Sequence, residues 1–214
     1  MLTVQDKISI GFTVTLGDII EENYTAFLIL SIMLVAYIFV NYKEKIYRTV
    51  SLIPLITICG LSVFSGITYN LFPFLGALRD RLILERPLLT AGNANNLFYV
   101  FPLILSMIVF FSIIICLLLI FKNMKNNIAV LVFTVGLATR LIMGFSPSVF
   151  ASSVRTIFFF DISMLITTLL IWQEFIKKKD KYEKKIQDRT YFIIKLIGVM
   201  QYINVLATIL ITQK

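Results

Sequence analysis

The stretch Gly144 to Phe160, GFSPSVFASSVRTIFFF, gathers the side chains in this chain best suited to hold an anion. Ser146-Pro147 closes one apolar run, because proline removes a backbone donor and keeps the residue before it out of the helical region. Ser152 and Ser153 stand where hydroxyls cap the free amides of a helix that opens the next apolar run, and Arg155 and Thr156 follow at once. Amide donors, the helix dipole and a guanidinium all favour a negative group at such a point. Arg155, Thr156, Ser152 and Ser146 are therefore the candidate binding residues, for a phosphate above all. Ordinary capping plus an interfacial arginine is the alternative role for the same residues.

Two further charges flank this hairpin. Arg140 lies five residues before Phe145 in the run that precedes it, and Asp161 lies four residues after Ile157 in the run that follows. At 1.5 Å per residue both fall roughly 6 to 8 Å below one surface. An Arg140–Asp161 ion pair locking the hairpin is expected, since a charge in hydrocarbon is costly and tends to find a partner. Separate contacts with headgroups or another helix are the alternative. A second basic feature is the segment Leu75 to Pro87, where Arg79, Leu82 and Arg86 share one helical face. It reads as a short helix at the outer interface that ends before Pro87, with Asp80 and Glu85 at hand to pair with Arg79 and Arg86.

All of these readings require a membrane, and composition supplies one. Hydrophobic residues make up 58% of the 214 and charged residues only 15%, well outside the balance of a soluble domain. A helix needs about 20 apolar residues to cross about 30 Å of hydrocarbon. Six blocks come close to or exceed that length: 24–40, 50–72, 97–121, 128–145, 157–176 and 191–211. Runs such as Phe110 to Phe121 do not alternate, which excludes a β-barrel. The expectation is an all-α polytopic bundle forming a single transmembrane domain over residues 1–214, in the cell membrane.

Lysines and arginines set its orientation. Lys43, Lys45, Arg48, Lys122, Lys125 and the seven between Lys177 and Arg189 fall in alternate connections, twelve in all. Lys7, Arg79, Arg81, Arg86, Arg155 and Lys214 fall on the other side, which is six. The positive-inside rule places the twelve in the cytoplasm, so both termini and the hairpin tip lie outside. Asp6, Asp18, Glu21 and Glu22 then read as a solvated outer face ahead of the first span. That N-terminal stretch has no basic region followed by a short apolar core, as a cleaved signal would.

The net charge of +8 points to anionic membrane lipids rather than nucleic acid, because most of the excess sits in the 177–189 connection. The chain has no histidine, and Cys59 and Cys116 lie within spans at no metal or redox spacing. No cofactor and no metal are expected.

The hairpin Ser146-Pro-Ser-Val-Phe-Ala-Ser-Ser-Val-Arg-Thr156 followed by Ile-Phe-Phe-Phe160 resembles an "SP…ASG.RTFFFF" hairpin in the C-terminal halves of polytopic bacterial glucosyltransferase-like proteins. That group is similar to the GT-C class acting in O-antigen or surface-polysaccharide modification. Ser153 stands where the family motif has glycine. The resemblance implies transfer of a sugar from a polyprenyl-phosphate carrier at the outer leaflet, with Ser146, Arg155 and Thr156 matching the shared motif. GT-C enzymes carry an acidic residue in a large outer loop after their first span, and this chain has no such loop. Asp18, Glu21 and Glu22 are the candidate substitutes for the loop acid; otherwise the chain reads as the C-terminal half of a longer enzyme, encoded separately from an upstream membrane partner or truncated, or as a degenerate relative. Two other classes stay open. One is a small transporter or flippase for a lipid-linked or anionic substrate, which favours broken helices or inverted repeats. The other is a non-catalytic membrane subunit, for which Ser62-x-x-x-Gly66 and Gly136 to Gly144 offer small packing residues.

Overall fold

A computed structural model describes residues 4–85, 97–122, 127–143, 145, 153–177 and 195. No strand occurs among them. Eight α-helices follow one another: α1 (Val4–Glu21), α2 (Tyr24–Asn41), α3 (Lys45–Ile58), α4 (Ser65–Leu71), α5 (Pro73–Asp80), α6 (Leu97–Ile120), α7 (Ile128–Met143) and α8 (Ser153–Lys177). A π-helical turn, Cys59–Val63, prolongs α3, and a second, Arg81–Glu85, prolongs α5.

The helices are apolar on every side, which is the mark of a lipid solvent. On α6, Val109, Phe110, Ile113, Cys116 and Leu117 are buried, yet Ile104, Ile108, Phe111, Ile115 and Leu118 on the other face are 45–51% exposed. In α8, Phe158, Phe159, Leu165 and Leu169 are likewise exposed while Phe160, Met164, Ile171 and Phe175 are buried. Water would not tolerate such outer faces at this density. Tyr24–Asn41, Lys45–Val63, Val100–Ile120 and Thr156–Lys177 are long and apolar enough to cross a membrane, and Ile128–Ile142 is apolar but shorter. The protein is membrane-embedded and helical. The expected last span, 191–211, lies outside the described residues.

Several hydroxyls inside the bundle are satisfied locally, while the buried Ser9 Oγ has no partner among the described residues. Thr13 donates to Ser9 O (2.9 Å), Ser31 to Phe27 O (2.8 Å), Ser106 to Pro102 O (2.7 Å) and Thr167 to Ser163 O (2.7 Å). With no water to serve them, these groups return their proton to the carbonyl one turn back.

Two parts of the chain depart from the sequence reading. The first is the N-terminus, expected to be a solvated acidic arm. It is instead α1, an 18-residue helix whose Phe12, Val14, Leu16 and Ile19 are buried along with Asp6, Thr13, Thr15 and Asp18. It needs no lipid-facing hydropathy because protein surrounds it. The second is the block 50–72. Its helix starts earlier, at Lys45, runs past the internal Pro54 into the π turn, and breaks at Phe64. Two short helices follow, with a corner at Phe72-Pro73 where proline suits the first helical position.

The heaviest packing joins α7 to α8, and α2 lies against both α3 and α8. A chain of aromatic rings crosses the interior: Phe12 to Phe110 at 6.1 Å, Phe110 to Phe160 at 6.2 Å, and Phe133 to Phe160 at 5.8 Å. It ties α1, α6, α8 and α7 together. Gly136 allows α7 to approach α8 closely, since a Cβ there would lie 2.0 Å from Ser163 Oγ.

Candidate functional site

Among the described residues, Arg140 is the largest fully buried side chain, at 0% exposure. It lies three residues before the end of α7, within the last turn. Its guanidinium forms an ion pair with Asp18 of α1, and its Nη1 donates to Thr156 Oγ1 of α8 at 2.8 Å. One cation thus joins the N-terminal helix to both arms of the hairpin. A guanidinium suits this place, because its planar fork serves acceptors in two directions and its charge is not lost on burial.

Each partner is delivered by a specific local structure. On α1, Gly11 packs against Leu141, where a Cβ would lie 3.0 Å from the Leu141 Cα, and Lys7 sits over the Phe145 ring at 5.6 Å. Contacts from Lys7 through Asp18 therefore fall on the 140–145 end of α7. Gly17 approaches the Leu82 carbonyl so closely that a Cβ would lie 2.3 Å from its oxygen, which fixes α1 against the second π turn. On α8, Phe160 lies one turn beyond Thr156 and is fully buried among the aromatic rings, so Thr156 faces inward with it.

The expected ion pair between Arg140 and Asp161 is replaced by Arg140–Asp18. The reason is depth. The helix starts at Ser153, as the capping serines imply, whereas the expected depth counts from the apolar block at Ile157; Asp161 therefore lies about 12 Å along the axis from the start of α8, while Thr156 lies about 4.5 Å from it. Arg140 lies about 4.5 Å from the end of α7, level with Thr156. Asp161 is part-buried on α8. Its Oδ1 is buried and has no hydrogen-bond partner among the described residues.

The other candidate residues are distributed as follows. Arg155 lies in the first turn of α8, next to Thr156, and its side chain lies outside the described part of the structure. Ser146 and Ser152 lie outside the described residues, as does Arg86. Arg79 is at the end of α5, where its Nε donates to Leu61 O at 2.9 Å and so holds α5 against the first π turn. Its carboxylate neighbour Asp80 is 3.9 Å away. Leu78 and Leu82, on the apolar stripe beside it, are buried. Among the described residues, no group of three or more Cys, Asp or Glu side chains is arranged to hold a metal ion.

Sequence reasoning placed Asp18 on a solvated outer face and as a substitute for a loop acid, and missed it as the partner of Arg140. The available signal was a run from Ile8 to Ile20 that is interrupted only by small or hydroxyl residues and one carboxylate. A lone acid in such a run implies a buried partner.

Comparison with protein-family models, with curated proteins and with solved structures returns no match.

Proposed function

We propose that this membrane protein binds a polyprenyl-phosphate-linked sugar where α1 meets the ends of α7 and α8, and that it takes part in glycosyl transfer during surface-polysaccharide modification. The observation that carries this reading is the link from Thr156 to the buried Arg140–Asp18 pair. A residue of the motif that prompted the glucosyltransferase resemblance is bonded to the buried guanidinium that pairs with Asp18. Arg155 precedes it in the first turn of α8, where the free amides and dipole favour a phosphate. Asp18 brings a carboxylate to the same junction, although its ion pair with Arg140 commits it to holding the helices.

The second reading is a non-catalytic membrane subunit. Complete burial of Arg140 favours it, since a cation neutralised within the chain needs no ligand.

Membrane vesicles containing the chain and its upstream-encoded partner, supplied with a polyprenyl-phosphate sugar and a polysaccharide acceptor, separate the two. Transfer that disappears with Arg155→Ala supports the glycosyltransferase reading. Transfer by the partner alone, at the same rate, assigns this chain to the second.

A further inference from the structure

Arg79 holds its guanidinium by one edge and leaves the other open. Its Nε donates to the Leu61 carbonyl at 2.9 Å, which fixes the side chain against the first π turn. Its Nη1 stands 3.9 Å from Asp80 Oδ1, too far for a hydrogen bond. The Nη1 and Nη2 end of the fork is therefore held in position and makes no hydrogen bond among the described residues, with the side chain 31% exposed. The membrane decides what this end meets. Lys45–Val63 advances about 28 Å over its 19 residues, close to the full thickness of the hydrocarbon. Leu61 thus lies near the far end of that crossing, and the bond from Arg79 keeps α5 at the same level. α4 and α5, of seven and eight residues, are too short to cross. On them and at their junctions stand Phe64, Ile67, Leu71, Phe72 and Phe74, all 52–66% exposed. Such a surface at the boundary of the hydrocarbon, with an arginine at its edge, matches a lipid with apolar chains and a phosphate head.

We propose that Arg79 and the α4–α5 corner bind an anionic phospholipid, its phosphate on Nη1 and Nη2 of Arg79 and its acyl chains over Phe64, Ile67, Leu71 and Phe72. Two donors in one plane fit two phosphate oxygens, and their charge is permanent. The bond to Leu61 removes side-chain freedom that an unanchored arginine would lose on binding. Asp80 opposes the anion, but an exposed carboxylate at its distance holds the guanidinium only weakly. This site needs only a membrane around the chain and does not depend on the glycosyl-transfer reading.

Titration of the purified full chain in detergent with phosphatidylglycerol, read as retained lipid by native mass spectrometry, tests the assignment. Phosphatidylglycerol is retained, whereas diacylglycerol, which has the chains and no phosphate, is not. Arg79→Gln lowers the affinity by about tenfold, and Arg79→Lys, which lacks the fork, lowers it nearly as much. Asp80→Asn leaves the bond to Leu61 in place and removes the opposing charge, so it tightens binding. Arg155→Ala changes nothing, which separates this site from the one proposed for a polyprenyl phosphate. Equal retention of diacylglycerol overturns the proposal, as does native affinity in a folded Arg79→Gln chain. Where Arg79→Gln fails to fold, Asp80→Asn decides, and unchanged or weaker binding in that variant overturns the proposal. A loss of binding with Arg155→Ala places the lipid at the start of α8 and overturns it too. So does a chain that is dimeric in detergent and becomes monomeric with Leu71→Ser, because a second copy then occupies the corner.

Discussion

Asp18 and Arg140, 122 positions apart in the chain, meet as a buried ion pair between the N-terminal helix and the last turn of α7. The pair also ties in the start of α8, because Arg140 donates to Thr156 as well.

Replacing Arg140 by leucine takes the guanidinium away from the buried Asp18 carboxylate and removes its donor to Thr156. The expected cost is about 3–5 kcal/mol. Adding Asp18→Asn to that variant recovers part of the loss, since the buried carboxylate is gone. A double-mutant cycle of detergent melts checks this, and simple additivity of the two changes would falsify the coupling.

Glycine substitutions divide sharply by position. Gly17→Ala would push a methyl to 2.3 Å from the Leu82 carbonyl oxygen, and Gly136→Ala would push one to 2.5 Å from Ser163 Cβ. Neither neighbour can rotate away, so each change is expected to cost about 1–3 kcal/mol. Gly66→Ala meets nothing within 4 Å and is expected to lie within about 0.5 kcal/mol of the native chain. Melting temperatures of the three variants in one detergent decide the ranking. Equal values would show that α1 does not approach the second π turn as described.

Much of this arrangement was legible in the sequence, and the exceptions have physical causes. The apolar blocks announced a helical membrane protein because lipid-facing helices must be hydrophobic all round. The hairpin of α7 and α8, and the need of Arg140 for a partner, followed from a charge in such a block. The identity of that partner did not. Asp6, Lys7, Asp18 and Glu21 lower the hydropathy of α1 to that of a tail, and nothing local reveals that other helices enclose it. The capping serines marked the start of α8, but a depth counted from the apolar block at Ile157 puts Asp161 about 6 Å too near the surface and hides that Thr156 is the residue level with Arg140. The second π turn has no compositional cue, and the first one and the break at Phe64 are marked only by Gly60 and the Ser65-Gly66 pair. Pro54, the nearest proline on the N-terminal side, lies inside α3 itself.

Topology follows from the split of basic residues. Glu22, exposed at the turn between α1 and α2, and Asn127, exposed just before α7, belong to opposite sides on this reading. In a chain with Cys59→Ala and Cys116→Ala, Glu22→Cys is expected to react with an impermeant reagent in intact cells and Asn127→Cys to react only after lysis. The reverse pattern would place the Arg140 junction on the cytoplasmic side and remove the outer leaflet from the functional account.

Binding of a polyprenyl-phosphate analogue to the purified protein tests the functional account most directly, with Arg155→Lys and Arg155→Ala compared to the native chain. Bidentate recognition of a phosphate needs the planar guanidinium, so both variants are expected to lose affinity, by roughly tenfold for lysine and more for alanine, while melting as the native protein does. Native affinity in both folded variants would mean that Arg155 only anchors α8 at the interface, and that the junction of Asp18, Arg140 and Thr156 holds the helices together without serving a phosphate.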